Sequence, residues 1–247
     1  MNSDRKTELL ISKDRHLATV TINRPEVRNA MTFALRKELR DVISELDADP
    51  DTRAIILTGV DPAFCAGVDT SELTDGVPAP DLVPPRGPLL TSTTPLIGAV
   101  NGPAYTGGLE LALCCHMLIA SDRATFADTH ARLGLTPGWG LSILLPEAVG
   151  IRRARQLMFT GIPISATMAL TWGLVNQVVP HDDLLSKAHD LALDIAAQDP
   201  RAIASLNTNF AAQAEARQTA AWRFEDQGFL GTSLAMSGKP SDSEEGK

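Results

Sequence analysis

The first clear pattern along the chain is an alternation of apolar and polar residues at positions 17–24, LATVTINR. A period of two, combined with several β-branched residues, predicts a half-buried β-strand. Over positions 33–47 the spacing changes to that of a helix, and Thr32 stands where an N-cap is needed. The apolar positions of this helix are Phe33, Leu35, Leu39, Val42, Ile43 and Leu46. We therefore expect a strand followed by an amphipathic helix.

Three later segments are apolar throughout instead of alternating. They are positions 54–59 (AIILTG), 95–102 (PLIGAVNG) and 116–121 (HMLIAS). Uninterrupted apolar runs of this kind are typical of parallel strands that are covered on both faces. Strands that alternate with helices predict an α/β core with a mainly parallel sheet. After about Gly140 the strand patterns fade, and helical patterns follow to about Leu234.

The same patterns divide the chain into regions. We expect an α/β core domain at residues 1–195, a C-terminal helical region at 196–236 and a disordered tail at 237–247, SGKPSDSEEGK. Positions 75–94 contain five prolines and few apolar anchors. That composition predicts a mobile surface loop within the core domain.

Composition restricts the class of protein. A chain of 247 residues with 44% hydrophobic and 21% charged residues is typical of a globular protein with a sizeable core. The sequence has no long apolar run and no apolar signal segment, so we expect a cytoplasmic protein without a membrane partner. A net charge of −8 disfavours nucleic acid as a partner. Three cysteines (Cys65, Cys114 and Cys115) predict reduced thiols rather than a disulfide framework or a metal site.

Glu110 is the only Asp, Glu, Lys or Arg between Gly87 and Ser121. It stands near the start of an apolar helix, shortly after a Gly-Gly pair. Burial raises the pKa of a carboxyl group and a helix N-terminus lowers it, so Glu110 is a candidate general base near neutral pH. The alternative is that Glu110 caps its own helix, although Thr106 is four residues before it and a capping box needs three.

Two glycine-containing loops follow core strands, FCAGVDTSEL at positions 64–73 and NGPAYTGG at 101–108. Each precedes an expected helix start, where backbone N–H groups have no partner within the helix. Loops that converge at one end of a parallel sheet can supply two N–H donors to a single oxygen. Such a pair would form an oxyanion hole for a carbonyl whose negative charge grows during a reaction.

Four segments, in order and spacing, resemble the enoyl-CoA hydratase/isomerase (crotonase) family. They are NRPEVRNAM, AIILTG with AFCAGVD, AVNGPAYTGGLELALCCHMLIASDRATFADTHARLGLTPG, and TGIPISATMALTWGLVNQVVP, within roughly residues 15–215. The resemblance implies an α/β fold, a crotonase-like spiral of ββα units with a C-terminal helical trimerisation region. It also implies an acyl-CoA thioester substrate, a homotrimer or a dimer of trimers (a hexamer), and no cofactor, because CoA is part of the substrate.

Residue by residue, the resemblance assigns the two oxyanion N–H donors to Val68 and Gly107. It assigns the base that activates the attacking water to Glu110. Four further positions match those that line the CoA-binding channel of the family, with a turn or packing role as the alternative for each: Arg28, Ala30, Ala66 and Asp69.

The chain departs from the family pattern at three places. A typical hydratase has a second glutamate twenty residues after the first, but this chain has His130. His130 is either a catalytic acid–base group or a residue of the pocket wall that hydrogen-bonds Asp128. Trp139 replaces a small residue, which predicts a shaped acyl pocket or a core role. The acidic, serine-rich C-terminus lacks the basic, aromatic ending that covers the adenine end of CoA in many members.

These observations favour an enoyl-CoA hydratase, a hydro-lyase of fatty acid metabolism, with Glu110 as base and the amides of Val68 and Gly107 as an oxyanion hole. The first alternative is another crotonase-type reaction on an acyl-CoA, by a lyase, a decarboxylase or a thioester hydrolase. The second is a non-catalytic acyl-CoA-binding protein that has lost the second carboxylate.

Overall fold

The computed structural model describes residues 7–69, 71 and 90–236. In chain order its strands are β1 (Leu9–Asp14), β2 (Leu17–Ile22), β3 (Ala54–Gly59), β4 (Leu96–Val100), β5 (Ala104–Tyr105), β6 (Met117–Ser121), β7 (Thr125–Ala127), β8 (Ile164–Ser165) and β9 (Gln177–Val179). Its α-helices are α1 (Phe33–Ala48), α2 (Gly107–Leu113), α3 (Leu141–Val149), α4 (Ile151–Thr160), α5 (Ala166–Trp172), α6 (Leu184–Ala196) and α7 (Pro200–Met236).

Six strands form the main sheet in the order β1-β2-β3-β4-β6-β9. Every neighbouring pair is parallel except β1 and β2, which form an antiparallel pair from Leu9 opposite Ile22 to Asp14 opposite Leu17. The mainly parallel sheet predicted from the apolar runs is confirmed. Strand β1 was not predicted, because five of its six residues are exposed and its pattern is weakly apolar. A second sheet of three short strands, β5-β7-β8, was also not predicted.

Alternating side chains of the central strands fill two separate cores. In β3, Ile55 and Leu57 belong to the larger core, while Ala54 and Ile56 belong to the core on the opposite face. Because successive side chains of a strand point to opposite faces, a strand covered on both sides must be apolar at every position. This is why β3 and β4 are buried along their whole length.

Helices cover each face of the main sheet. Helix α1 begins after Thr32, whose Oγ1 accepts a hydrogen bond from the Leu35 amide at 3.1 Å, as the N-cap prediction requires. Its apolar residues join the larger core. Helix α6 packs on the other face through three alanines one turn apart: Ala188, Ala192 and Ala196. Small residues at this spacing allow the helix to approach the sheet closely.

The region after Gly140 is helical, as predicted, but two short strands interrupt it. Strand β8 pairs with β7, and β9 extends the main sheet beside β6. Helix α7 is a single element of 37 residues. Within the part of the chain that the structure describes, no helix is both long and apolar enough to cross a membrane. Most of the predicted loop at 75–94 and the whole predicted tail at 237–247 lie outside the described residues.

Candidate active site

The loops after β3 and β4 meet because the two strands are parallel neighbours. The Tyr105 amide donates to the Cys65 carbonyl oxygen at 3.0 Å, and the Cys65 amide donates to the Pro103 carbonyl oxygen at 3.1 Å. A Cβ atom added at Gly108 would lie only 1.9 Å from the Cys65 carbonyl oxygen. Glycine is therefore required here by the close approach of two backbones.

The amides of Val68 and Gly107 belong to adjacent backbone segments. Gly67, directly before Val68, has a φ of +106°, and a Cβ atom added to it would lie 3.2 Å from the Gly107 nitrogen. Among the described residues, neither the Val68 amide nor the Gly107 amide has a backbone hydrogen-bond acceptor. The convergence predicted for the two loops is thus observed, and two N–H donors there remain available to a ligand.

Glu110 is the fourth residue of α2 and is 2% exposed. Its Oε1 accepts hydrogen bonds from the Trp139 amide at 2.9 Å and the Leu141 amide at 3.4 Å. Glu110 therefore binds the N-terminus of α3, and the alternative that it caps its own helix is wrong. Burial raises the pKa of Glu110 to about 7, against the opposing effects of His130 and these two amides.

His130 lies beside Glu110 at the start of a short 3-10 helix, His130–Leu133. Its Nδ1 is 2.7 Å from Asp128 Oδ1, and its Nε2 is 3.9 Å from Glu110 Oε2. The hydrogen bond to Asp128 suggested by the sequence is confirmed. Burial alone would lower the pKa of His130, but the bond to Asp128 and the charge of Glu110 together raise it above the ordinary value. His130 thus lies between two carboxyl groups, with Asp128 at its Nδ1 and Glu110 near its Nε2.

The four positions matched to the CoA-binding channel lie on two neighbouring segments. Met31 and Val68 form a parallel bridge, and the Ala66 amide donates to the Arg28 carbonyl oxygen at 3.0 Å. Arg28 is exposed, Ala66 is half-buried and Ala30 is buried.

Asp69 completes this group, and its carboxylate already has protein partners. Oδ2 is 3.0 Å from Arg24 Nη1, and Oδ1 accepts from the Ser71 hydroxyl at 2.7 Å. The bonds to Ser71 and Arg24 lower the pKa of Asp69 despite partial burial. A carboxylate held in this way fixes the loop beside Val68, which is a positional role for Asp69.

Trp139 is 6% exposed and lies over the start of α2. A Cβ atom added at Gly107 would lie 2.7 Å from Trp139 Cζ3, and the Arg36 guanidinium stands 4.8 Å from the centre of the Trp139 ring. The ring is therefore packed against Gly107, next to the two unbonded amides. This contact is compatible with the expected contribution of Trp139 to an acyl pocket and with a core role.

Two residues with structural importance at the site were not predicted. Asn29, fully buried with a φ of +58°, donates to the carbonyl oxygens of Val60 and Ala63 and thereby holds the loop after β3. Glu225 of α7 is 7% exposed and accepts hydrogen bonds at the N-terminus of α3. A buried acid in a long helix is visible in the sequence only as one charge among many, since its partners are about 85 residues away.

Comparison with known proteins agrees with this geometry. The family model for enoyl-CoA hydratase/isomerase matches residues 12–239. The crystal structure of an enoyl-CoA hydratase from Mycobacterium tuberculosis H37Rv has a TM-score of 0.85 and 43% sequence identity, covering 93% of this chain and 99% of that one. An enoyl-CoA hydratase structure from Mycobacterium avium also has a TM-score of 0.85, with 42% identity and coverage of 93% and 99%.

A curated relative, the short-chain-enoyl-CoA hydratase of Clostridium acetobutylicum, is 38% identical over 205 residues, which are 79% of this chain and 77% of the relative. The structural likeness confirms the crotonase-like α/β fold that the motifs implied. With the family match extending over most of its length, the chain belongs to the enoyl-CoA hydratase/isomerase family.

Proposed function

We propose that this protein is an enoyl-CoA hydratase, which adds water across the double bond of a 2-enoyl-CoA thioester. One observation supports the proposal above all others. A buried carboxylate with a pKa of about 7, Glu110, lies near two backbone amides, those of Val68 and Gly107, that have no backbone acceptor among the described residues. A base and a pair of oxyanion donors are the two elements that this addition requires.

The reaction would begin with water held against the Glu110 carboxylate. The carboxylate removes a proton from the water as the water oxygen bonds to the β-carbon of the enoyl group. The π electrons move to the thioester oxygen, and the Val68 and Gly107 amides donate to the resulting enolate. One lost donor of this type typically costs about 3 kcal/mol of transition-state stabilisation.

The enolate must then receive a proton at its α-carbon. In this proposal the donor is the protonated imidazole of His130, in place of the second glutamate of a typical hydratase. Asp128 supports that role, because a carboxylate bonded to Nδ1 stabilises the charged ring and leaves Nε2 facing Glu110. When His130 gives up its proton, the proton that Glu110 took from water can restore it.

Binding of the thioester completes the proposal. The segments that carry Arg28, Ala30, Ala66 and Asp69 would line the CoA channel, and Trp139 would border the acyl group beside Gly107. Addition of water to a conjugated thioester involves no net oxidation or reduction. We therefore propose no cofactor besides the CoA of the substrate. We also propose a homotrimer or a dimer of trimers.

An activity panel tests the function. Purified protein in a buffer containing a chelator is offered crotonyl-CoA, and loss of the enoyl-thioester absorbance is measured together with formation of 3-hydroxybutyryl-CoA. We expect hydration and its reversal from the hydroxyacyl-CoA. Absence of both, with turnover of a malonyl-type or saturated acyl-CoA, would contradict the proposal.

The presence of His130 supports a second candidate function, a different crotonase-type reaction on an acyl-CoA thioester. A histidine bonded to a carboxylate can act as a general base for hydrolysis as well as a proton donor. Release of free CoA from a saturated acyl-CoA, measured with a thiol reagent in the same panel, would identify a thioester hydrolase. Binding without turnover of any thioester would instead indicate a non-catalytic acyl-CoA-binding protein.

A further inference from the structure

Residues 139–142 donate their backbone amides alternately to two buried carboxylates. The amides of Trp139 and Leu141 donate to Glu110 Oε1, at 2.9 and 3.4 Å. The amides between and after them belong to Gly140 and Ser142, and they donate to Glu225 at 2.5 and 3.1 Å. The Ser142 hydroxyl also donates to Glu225 Oε2. One short backbone segment therefore connects the candidate base with a second carboxylate.

Helix α7 brings Glu225 to this segment through a specific contact with α3. The Trp222 ring packs so closely on Gly140 that a Cβ atom added there would lie 2.3 Å from Trp222 Cη2. Gln218 donates to Glu147 at 2.7 Å and accepts from Trp222 Nε1 at 3.3 Å. Positions 218, 222 and 225 lie on one face of a helix, so the register of α7 on α3 is well defined.

We propose that Glu225 is a positioning residue for Glu110, acting through the backbone segment 139–142 and through its negative charge. The proposal rests on the role of Glu110 given above. By fixing the amides of Gly140 and Ser142, Glu225 fixes the direction of the two neighbouring amides, those of Trp139 and Leu141, that hold Glu110. A base whose acceptor oxygen is held in this way keeps its other oxygen free for water.

The charge of Glu225 acts on the same carboxyl group. Glu225 raises the pKa of Glu110, whereas His130, with Asp128 behind it, lowers it. Two further charged residues lie on the elements around this segment: Arg36 of α1 stacks on the Trp139 ring, and Glu147 of α3 accepts from Gln218. Glu225 therefore helps to keep Glu110 a stronger base than an ordinary carboxylate.

Glu225→Gln separates this role from a purely structural one. The amide side chain keeps one of the two oxygens that accept from the segment, replaces the other by an NH2 group, and removes the negative charge. We expect the titration midpoint of Glu110 to fall, by on the order of half a pH unit or more, because a like charge has been removed. The acidic limb of the kcat/KM profile for crotonyl-CoA should move to lower pH by the same amount.

The matched control is Gln218→Ala, which removes a contact of α7 with α3 without changing the charge near Glu110. The conservative variant Glu225→Asp retains the charge, and we expect it to retain most of the wild-type midpoint. The midpoint is measured directly by NMR of protein labelled with 13C in the glutamate carboxyl groups, where Glu110→Gln identifies the signal. This measurement does not depend on turnover, so it tests the role of Glu225 even if the protein is not a hydratase.

A fall in the midpoint for Glu225→Gln, absent in Gln218→Ala, supports the proposal. An unchanged midpoint in a folded Glu225→Gln variant would overturn it, as would an equal fall in Gln218→Ala. If Glu225→Gln does not fold, Glu225→Ala, which also removes the charge but with a smaller side chain, takes its place: a fallen midpoint supports the proposal, and an unchanged midpoint overturns it.

Discussion

Glu110 and His130 are two titratable groups 3.9 Å apart whose surroundings move both pKa values upward. For Glu110 the main cause is burial, and for His130 it is the combined effect of Asp128 and Glu110 against burial. Groups this close titrate as a pair, so each protonation state depends on the other. An unprotonated glutamate beside a protonated histidine is the state that adds water in the proposed reaction.

Glu110→Gln should abolish hydration. The substitution removes the base while its side-chain oxygen can still accept from the Trp139 amide, so the shape of the site is kept. A loss of roughly 10²–10⁴-fold in kcat is usual for a general base. Crotonyl-CoA hydration is measured beside circular dichroism to verify the fold. Activity within a few-fold of wild type would exclude Glu110 as the base.

The same variant should change how stability depends on pH. The folded pKa of Glu110, about 7, is above its unfolded value, so its protonated form is favoured in the folded protein. The stabilisation that protonated Glu110 gives to the folded state is fully present below the unfolded pKa, and it is lost as pH rises through about 7.

Glu110→Gln removes that loss. From pH 4 to pH 8 the free energy of unfolding of wild type should therefore fall by up to about 3 kcal/mol more than that of Glu110→Gln. Urea unfolding at both pH values measures the difference. A wild-type to variant difference that is the same at both pH values would show that Glu110 ionises normally.

His130 is tested by two substitutions with opposite expectations. His130→Ala removes the proposed proton donor, so kcat should fall strongly, on the order of 10²-fold or more. His130→Glu restores the two-carboxylate arrangement of a typical hydratase and should keep or raise hydration of a short enoyl-CoA.

The pH–rate profile provides a further check on His130. Wild-type activity should rise through about pH 7 as Glu110 ionises, and fall above the ordinary histidine range as the imidazolium is lost. The falling limb should be absent from His130→Ala. If His130→Ala hydrates crotonyl-CoA as fast as wild type, His130 is a wall of the pocket.

At the scale of elements, α2 is positioned by contact between main chains. Its second residue, Gly108, meets the Cys65 carbonyl of the loop after β3, where a methyl group has no space. Gly108→Ala should therefore lower the free energy of unfolding by about 1–3 kcal/mol, the usual cost of overpacking. It should also reduce kcat, since α2 carries both Gly107 and Glu110.

Gly134→Ala is the matched control for this substitution. A Cβ atom there meets nothing within 4 Å, so its cost is limited to the left-handed backbone conformation. Thermal unfolding and crotonyl-CoA turnover are compared for the two variants. Equal stability and activity in both would show that α2 tolerates displacement from Cys65.

The elements that the sequence predicted correctly are those whose burial is visible locally. Strand β3 was predicted with its observed ends because it is apolar at every position, and α1 because Thr32 and the apolar spacing agree. The short strands β8 and β9 could not be predicted in the same way. Two or three residues form a strand only because a neighbouring strand is already present.

The residues of the site were likewise predictable only where the local sequence marks them. Glu110 stood out as a lone charge in an apolar stretch, and the glycine loops indicated where amides would be unbonded. The acceptor partners were not predictable, because Glu110 binds α3 and Glu225 reaches the same helix from α7. Such contacts depend on the tertiary arrangement of helices that are distant in sequence.

At the scale of the whole molecule, large apolar side chains are exposed on the later helices. Among the described residues the most exposed are Phe159 at 76%, Phe224 at 74%, Phe210 at 64% and, in the loop directly after α4, Ile162 at 61%. Exposed aromatic residues in this number are typical of a surface that is covered by another chain.

We therefore expect a trimer or a hexamer in size-exclusion chromatography with light scattering. Association should bury part of this apolar surface, so the assembly should persist at micromolar concentration. Phe159→Asp places a charge on the exposed face of α4 and tests whether that face is covered, while Lys37→Asp on the exposed side of α1 is a control. A monomer of wild-type protein at micromolar concentration would contradict the expectation.

The backbone contact between Gly108 and Cys65 also limits how acyl selectivity could be redesigned by directed evolution. The position of α2 is set by contact between two main chains. Substituting side chains elsewhere therefore cannot change where the amides of Val68 and Gly107 lie. Position 139 is different, because its ring borders Gly107 while its amide holds Glu110. Every residue except proline supplies that amide. Libraries at position 139 can therefore vary the space above the amides while leaving the support of the base intact.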